Sequence, residues 1–596
     1  MESESLWGSE FELSTKPKTD LVLNKISSAS KQKSIEKKVA LSSKISKRDK
    51  IEYITSEVKR ILGSYADNTE VIYSKDELIR YINKSNENKV IAVDTETNNS
   101  LDPISCKLMG LCIYTPEEKQ AYVPVNHVNV YGEKISEQLS EQDIKDALSM
   151  IDSDTTIVMH NGKFDYQVLL KTCDIPMRVD WDTMIASQLL DENSPAGLKY
   201  QYITHIDPSI EKYNIEALFQ KEQYSIFPPD LFALYAATDA YMTYKLYLYQ
   251  LEMMNNSGKL FSLFKTVEMP IVKIAADMEL NGVCIDKDYA SRLSKKWHKN
   301  MDELIQKLMD DLSQYTEIVN RWRTTNEAIY HPITVRATGE NSVKVGGKRY
   351  EYDEDLPIDY NREHLKIGKS LAEQFSWPLN FNSSTQLAIF LYDILKTPVV
   401  DKKMPRGTGE DILKQLDYPW CKLLVDIRSM DTVISTFIDK LPESVSEVDG
   451  RLHCHFNQLG KEGKNVRTGR FSSSDPNLQN IPSGEHSIRL MFKATDGYTM
   501  VGADYSAQEP RIMAAYSQDP YLMQSLAEGK DPYATIASGV YKNDYRDNLE
   551  FETNDDGSWK VDENGERIKY PDGSHRRKSV KSLLLGRPYN CPTKTA

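Results

Sequence analysis

Residues 464–516 constrain this chain more than any other stretch. They read KNVRTGRFSSSDPNLQNIP, a short polar link, and then a run ending in GADYSAQEPRIMAAY. Thr468 to Pro482 is poor in helix formers and dense in Ser, Asn, Gln and Pro, which predicts a loop offering many side-chain donors and acceptors. Thr499–Ala503 predicts a strand that carries Asp504 to its C-terminal tip. A helix should open directly after it, with Ser506 as N-cap and Glu509 three residues on, the spacing of a capping box. A carboxylate at a strand tip, beside a helix start and an Arg-bearing polar loop, suits metal-assisted chemistry on a phosphate.

From about residue 70 to 250, short apolar runs alternate with helical patterns, which predicts an α/β architecture. Lys89–Val93 predicts a strand leading into Asp94-Thr95-Glu96. Residues two apart on a strand share a face, so both carboxylates can reach one pair of metal ions. Leu108–Tyr114, Gln120–Val125 and Thr156–Met159 predict further strands. Asn161 and Asp165 stand four apart at a helix start and share a face. Asp182 reads as the cap of the next helix. Tyr235 and Asp239 are four apart on a helix predicted over Leu231–Met253.

TGRFSSSDPNLQNIP followed by ADYSAQEPR resembles the family A DNA polymerases, those related to bacterial DNA polymerase I and many phage replicases. The series Asp94-x-Glu96, Asn161-x-x-x-Asp165 and Tyr235-x-x-x-Asp239 resembles the DEDD proofreading 3′–5′ exonucleases, in the variant with Tyr in the third motif. The resemblances imply an α/β and α+β multidomain chain, a ribonuclease-H-like exonuclease followed by a right-hand polymerase body of thumb, palm and fingers. On that basis 1–50 is a disordered Ser/Lys-rich tail and 51–255 the exonuclease. Residues 256–450 are thumb and palm base, with an insertion at about 313–362, and 451–596 are palm and fingers.

The same resemblances imply roles. Asp94, Glu96, Asp165 and Asp239 would hold two divalent ions, Mg²⁺ with Mn²⁺ as substitute, and Tyr235 would orient the attacking water. Arg470, Asn477, Gln479, Asn480 and Arg489 would line primer–template DNA, where Arg and amide groups meet the minor-groove acceptors shared by every base pair. Asp504 would ligate the metals of synthesis, and Glu509 would screen the 2′ position of the incoming dNTP. Tyr533, Arg577, Lys581 and Tyr589 would also meet the dNTP, the last three on a fingers helix.

Several departures qualify the match. Gln508-Glu509-Pro510 replaces an apolar-Glu-apolar triplet, and Leu585 stands where the family carries an aromatic. A second insertion, Asn543–His575, has three turn signals and predicts a hairpin on the fingers. After Gly586 the sequence reads RPYNCPTKTA, and no His-Asp-Glu occurs in it. The expectation is a polymerase truncated before its second palm carboxylate, which binds primer–template weakly, degrades 3′ ends and does not synthesise DNA alone. Two other readings stay open: a stand-alone 3′–5′ exonuclease with a vestigial polymerase part, and a DNA-binding subunit completed by a separate C-terminal polymerase fragment.

Composition sets the outer bounds. A net charge of −14 does not exclude a nucleic-acid partner, because a polymerase binds DNA in a local cleft and carboxylate-rich metal sites add negative charge. The seven cysteines include no CxxC pair, which predicts reduced thiols rather than a zinc ribbon. His453 and His455 lack the acid or Cys partners that a zinc site needs. No long apolar run or signal peptide is present, which predicts a soluble, intracellular chain with no membrane partner; the resemblance to phage replicases implies the cytoplasm of a phage-infected bacterial host.

Overall fold

The computed structural model describes residues 46–586, apart from 99, 101, 220–222, 460–467, 483–485, 555 and 564, and apart from 327–373, where three short strands alone are described. β1 (Thr69–Val71), β2 (Val90–Thr97), β3 (Leu108–Tyr114), β4 (Gln120–Pro124), β5 (Thr156–Met159) and β6 (Trp181–Asp182) form one sheet in the order β1-β4-β3-β2-β5-β6. β2 runs antiparallel to β3 and parallel to β5. Its opening residues, Val90-Ile91-Ala92-Val93, are all buried, as a central strand covered on both faces requires.

Side chains along β2 alternate between two cores. Ile91 and Val93 join Leu111, Ile113 and Val123 on one face, and Ala92 joins Cys112, Tyr122 and Trp181 on the other. Helices Lys75–Asn88, Glu141–Leu148 and Gly162–Cys173 cover the first face. The long helix Pro229–Asn255 covers the second, with Ala233, Ala236, Ala237 and Ala240 fully buried; small side chains let it lie close on the sheet. Gly110 also serves this packing. A Cβ there would meet the Tyr122 hydroxyl at 2.1 Å, so the Tyr122 ring occupies space that only glycine leaves.

Met269–Asn281 forms a helix, with Pro270 in its first turn and Gly282 at its end in a positive-φ conformation (53°). β7 (Cys284–Ile285) and the helix Lys287–Ser313 follow. Thr316–Asn326 is helical too, and its Val319 is fully buried in a cluster with Leu308, Phe375 and Phe390. The packed helical layer therefore runs into the stretch expected as an insertion from about 313, because burying an amphipathic face outweighs a polar composition. β8 (Arg336–Ala337), β9 (Ser342–Val345) and β10 (Lys348–Glu351) make an antiparallel sheet. Residues 363–375, whose sequence predicts a long helix, lie outside the described residues except for the last two positions. Ser384–Ala388 and Pro419–Val433 each run on into a π-helical turn, and Phe390 and Trp420 anchor their shared core.

β11 (His455–Asn457) pairs with β12 (Ser472–Ser474), and β13 (Phe492–Lys493) pairs with β7. That last pairing lies within one compact unit, which runs through Asp496; a second unit begins at Gly497. The second unit carries the helices Gln508–Ser517, Pro520–Ala527, Pro532–Tyr541 and Pro571–Gly586. Residues 551–569 fold back twice, through the bridges Thr553–Trp559 and Val561–Arg567, with Gly557 and Gly565 at positive φ in the two turns. The third expected turn, Asp572-Gly573, instead lies in the first turn of the last helix, where a Cβ on Gly573 would meet the Leu549 carbonyl at 2.3 Å.

Two expectations around Asp504 are corrected. Thr499–Ala503 is not a strand, and Val501 is 87% exposed. A strand exists through pairing, and among the described residues no neighbour pairs with this one. Ser506 is not the N-cap either: Ala507, at φ 50°, holds that position without a side-chain capping bond, and the helix starts at Gln508.

Candidate active site

Asp94 and Glu96 continue the Ala92 side of β2, as the period of two requires, and so face the helix Pro229–Asn255. That helix places Tyr235 and Asp239 one turn apart beside its buried alanines. Asp165 comes from the first turn of Gly162–Cys173, on the opposite layer. Its Oδ1 accepts from the Thr95 N–H at 2.8 Å and from the Thr95 hydroxyl at 2.7 Å. The residue between the two strand acids thus anchors the third acid, which packing alone reveals.

The four acids act on one another. Burial, followed by Asp165, Glu96 and Asp239, pushes the Asp94 carboxyl well above the ordinary carboxylate range. Burial and then Asp239 raise Glu96 to about 8, and burial raises Asp165 to about 7 against the opposing Thr95 hydrogen bonds. Burial raises Asp239 as well, while Lys199 pulls it down. Tyr235 is also pushed up, by burial, Glu96 and Asp239, so its phenol keeps its proton as a donor. Its ring stacks on Phe219 at 5.0 Å.

Each of these acids keeps its proton to higher pH in the folded chain than in the unfolded one. Unfolding therefore releases protons, and metal-free stability falls as pH rises between the unfolded and folded values. We expect the thermal midpoint in a chelator to drop from about pH 5 to about pH 8. Mg²⁺ should restore it mainly at the upper end, and Glu96→Gln should flatten the profile. A midpoint indifferent to pH and to Mg²⁺ across that window would show that the acids do not share one site.

Sequence reasoning missed three neighbours. Lys199, from the helix Leu198–His205, has its ammonium 3.1 Å from Glu216 and 5.3 Å from the Tyr235 ring centre. Burial works against its charge, but Asp239, Glu216 and Glu96 more than offset that and hold it protonated. Lys199, Glu216, Tyr235 and Asp239 line one groove. Cys112 lies opposite Asp94 in the β2–β3 register, and ligand-capable atoms of Asp94, Glu96 and Cys112 fall within 4.8 Å of one another. None of the three belongs to a recognisable spacing. The signal for Cys112 was available only in the strand register, and those for Lys199 and Glu216 only in tertiary packing.

Asp182 is the cap it was read as, and more. Its carboxylate accepts from Met184 and Ile185 at the start of its own helix, and from Asn161 and Gly162 at the start of the helix that carries Asp165. His160 bonds the Thr183 hydroxyl at 2.8 Å, and burial lowers it to about 3, so it stays neutral. His453 is taken up by the Glu279 carbonyl and the Asp449 carboxylate.

The remaining predicted residues fall into two groups. In the first unit Arg470, Asn477, Gln479, Asn480 and Arg489 are exposed on the loop and short helix that end at Leu490. There the Asn477 Oδ1 accepts from the Gln479 N–H at 3.0 Å, shaping the turn. In the second unit Tyr533, Arg577 and Lys581 come together, with the guanidinium 5.1 Å and the ammonium 5.6 Å from the Tyr533 ring centre. Arg577 is also paired with Asp531 at 2.8 Å, and Glu509 stands near enough to help burial raise the Tyr533 phenol. Asp504 is exposed and outside regular structure. Tyr589 lies outside the described residues. Among the described residues, the group of three metal-capable side chains gathered at one point is the one at Asp94. No described helix is long and apolar enough to cross a membrane.

Comparison with known proteins matches two separate stretches of the chain. The 3′–5′ exonuclease family model matches residues 69–255, and the DNA polymerase family A model matches residues 352–550. DNA polymerase I of Borreliella burgdorferi is 26% identical over 476 residues, covering 78% of this chain and 43% of that protein. DNA polymerase I of Pseudomonas aeruginosa is 29% identical over 479 residues, 77% of this chain and 44% of that one. The thermostable DNA polymerase I of Thermus aquaticus is 37% identical over 194 residues, 31% of this chain and 23% of its own length. The chain spans less than half the length of these relatives. Its fold is similar to that of the POL domain of Pol1 from M. smegmatis, solved in complex with DNA primer–template and dNTP. The TM-score is 0.58 at 18% identity, over 87% of this chain and 71% of that one.

Proposed function

Because this chain joins a 3′–5′ exonuclease domain to a family A DNA polymerase domain, in the manner of DNA polymerase I, we propose that it removes nucleotides from DNA 3′ ends as a proofreading nuclease. The convergence of Asp94, Glu96, Asp165 and Asp239 beside Tyr235 carries this reading. Four carboxyls whose protons are held by burial first and by neighbouring charge second, with a hard oxygen donor set, fit divalent cations of the Mg²⁺ type, with Mn²⁺ as substitute. Two such ions, when bound, supply charge neutralisation at the attacking and leaving oxygens of an in-line displacement.

The chain's own groups do the rest. Thr95 holds Asp165 in place through two hydrogen bonds, so that its carboxylate stays with the strand acids. The protonated Tyr235 phenol donates a hydrogen bond that orients the attacking water, as in the Tyr variant of the DEDD group. Lys199 puts a positive charge beside the groove, suited to the phosphate of the terminal nucleotide. Its own pairing with Glu216 sets its direction.

For the polymerase part we propose template-directed DNA synthesis on primer–template with dNTPs. Arg470, Asn477, Gln479, Asn480 and Arg489 would contact the duplex, Asp504 would ligate a catalytic cation and Glu509 would screen the sugar. Tyr533, Arg577 and Lys581 would meet the triphosphate, with Tyr589 beyond them. The grouping of two cations on Tyr533 supports the triphosphate role. Leu585 in place of an aromatic supports a phage-type enzyme working in the cytoplasm of an infected bacterial host.

A 5′-labelled primer on a longer template, incubated in Mg²⁺ with and without dNTPs, tests both halves. Cation-dependent shortening without dNTPs is expected; an unchanged primer would overturn the exonuclease reading. Lengthening with dNTPs would show synthesis by this chain. Lengthening only after addition of a second polypeptide bearing a His-Asp-Glu motif would identify a partner.

A further inference from the structure

Glu279 is a buried carboxylate, 3% exposed, that takes no part in the site described above. It lies near the end of the helix Met269–Asn281, and both its oxygens are occupied. Oε1 accepts from the Lys163 ammonium at 2.5 Å and from the Phe456 N–H at 2.5 Å. Oε2 accepts from the Gln167 amide at 2.7 Å, with His455 Nδ1 at 3.7 Å. Lys163 closes the circuit by donating to the Phe456 carbonyl at 2.8 Å.

The donors come from two parts of the molecule. Lys163 and Gln167 flank Asp165 on its own helix. His455 and Phe456 belong to β11, whose partner β12 lies inside the polar loop 468–482. From β12 the Ser473 hydroxyl accepts from the Leu478 N–H at 3.2 Å and so ties the strand to the turn bearing Asn477, Gln479 and Asn480. A continuous line of short bonds therefore runs from the helix of an exonuclease acid, through one buried carboxylate, to the loop assigned to the primer. A surface ion pair would give little rigidity; a buried carboxylate with three short hydrogen bonds from two parts of the chain holds its partners in one arrangement. Gly282 adds to it, because a Cβ there would meet the Leu452 carbonyl at 2.7 Å where the chain turns back past this joint.

We propose that Glu279 is a positioning residue that sets the duplex-holding loop at a fixed reach from the exonuclease cleft, so that a frayed 3′ end on primer–template arrives at the four acids. This rests on the exonuclease reading above. A short single strand needs no loop and reaches the cleft directly. The joint should therefore matter for one substrate and not for the other, a distinction that plain structural damage would not produce.

The test uses the full chain and compares Glu279→Gln with the parent on two DNAs: a 3′-mismatched primer–template and a short single strand. Glu279→Gln keeps the size of the side chain and removes the charge that Lys163 answers. The ratio of duplex to single-strand cleavage is expected to fall on the order of tenfold, with single-strand cleavage within about twofold of the parent, the scale of coupling between sites. Lys163→Met cuts the same link from the exonuclease side and should lower the ratio likewise; it carries the test should Glu279→Gln fail to fold. Hydrogen exchange at Phe456 and Leu478 should quicken in both variants. A parallel fall on both DNAs, or an unchanged ratio, would overturn the proposal while leaving the exonuclease reading intact. A parent chain inactive on the single strand would sink that reading and this proposal with it.

Discussion

Asp94→Ala is expected to abolish 3′-end removal, with a loss of about 10³-fold or more in single-turnover cleavage, since a metal-assisted displacement draws several kcal/mol from its ions and each tenfold is about 1.4 kcal/mol. Asp94 stands at the centre of the cluster, the acid that feels Asp165, Glu96 and Asp239 together. Its removal takes a ligand from the site without disturbing the strand, because Val90–Val93 stay buried on either face. The fold should hold in a chelator. At about pH 8 the variant should even melt slightly higher than the parent, because a carboxyl that burial forces to take up a proton on folding is gone. Cleavage is read on a 5′-labelled single strand at saturating Mg²⁺. Activity above about a tenth of the parent's would mean that the four acids do not form the catalytic centre.

Asp182→Ala is expected to produce the largest stability loss of a single polar change in the exonuclease domain. The carboxylate is 1% exposed and accepts from four backbone N–H groups at two helix starts. Alanine leaves those donors buried without an acceptor, a cost of about 1 kcal/mol or more for each, so roughly 3–5 kcal/mol in total. Asn keeps one acceptor oxygen and should lose about half as much. A urea titration of the exonuclease transition reads the shift. Cleavage should fall with it even under conditions where the variant remains folded, because Asn161 and Gly162 are the residues that Asp182 fixes ahead of Asp165. A loss below about 1 kcal/mol would show that water replaces the carboxylate and that the double cap is not what holds these helices.

The periodicities of regular structure explain why so much of this site was legible in advance. Asp94 and Glu96 share a face because a strand repeats every two residues, and Tyr235 and Asp239 because a helix nearly repeats every four. Both are properties of a few consecutive residues, and the elements that carry them formed where apolar runs and caps placed them. Asp182 was readable as a cap for the same reason, although its second helix start was not. The expectations that failed lay around Asp504, one for want of a partner strand and one at a local turn. Thr499–Ala503 has the composition of a strand but no described strand beside it, and the Ser506-to-Glu509 spacing did not become a capping box once the backbone turned at Ala507.

By itself, then, the sequence determined which acids exist, which of them share a face, and which family patterns they follow. The tertiary structure alone decided that Thr95 holds Asp165, that Cys112 sits against Asp94, that Lys199 and Glu216 border the groove, and that Glu279 joins the exonuclease helix to β11. These contacts link elements separated by tens to hundreds of residues. Local spacing carries no record of such distances, because they are set by how sheet and helices pack over the two cores, and a buried charge must find its partners wherever that packing brings them.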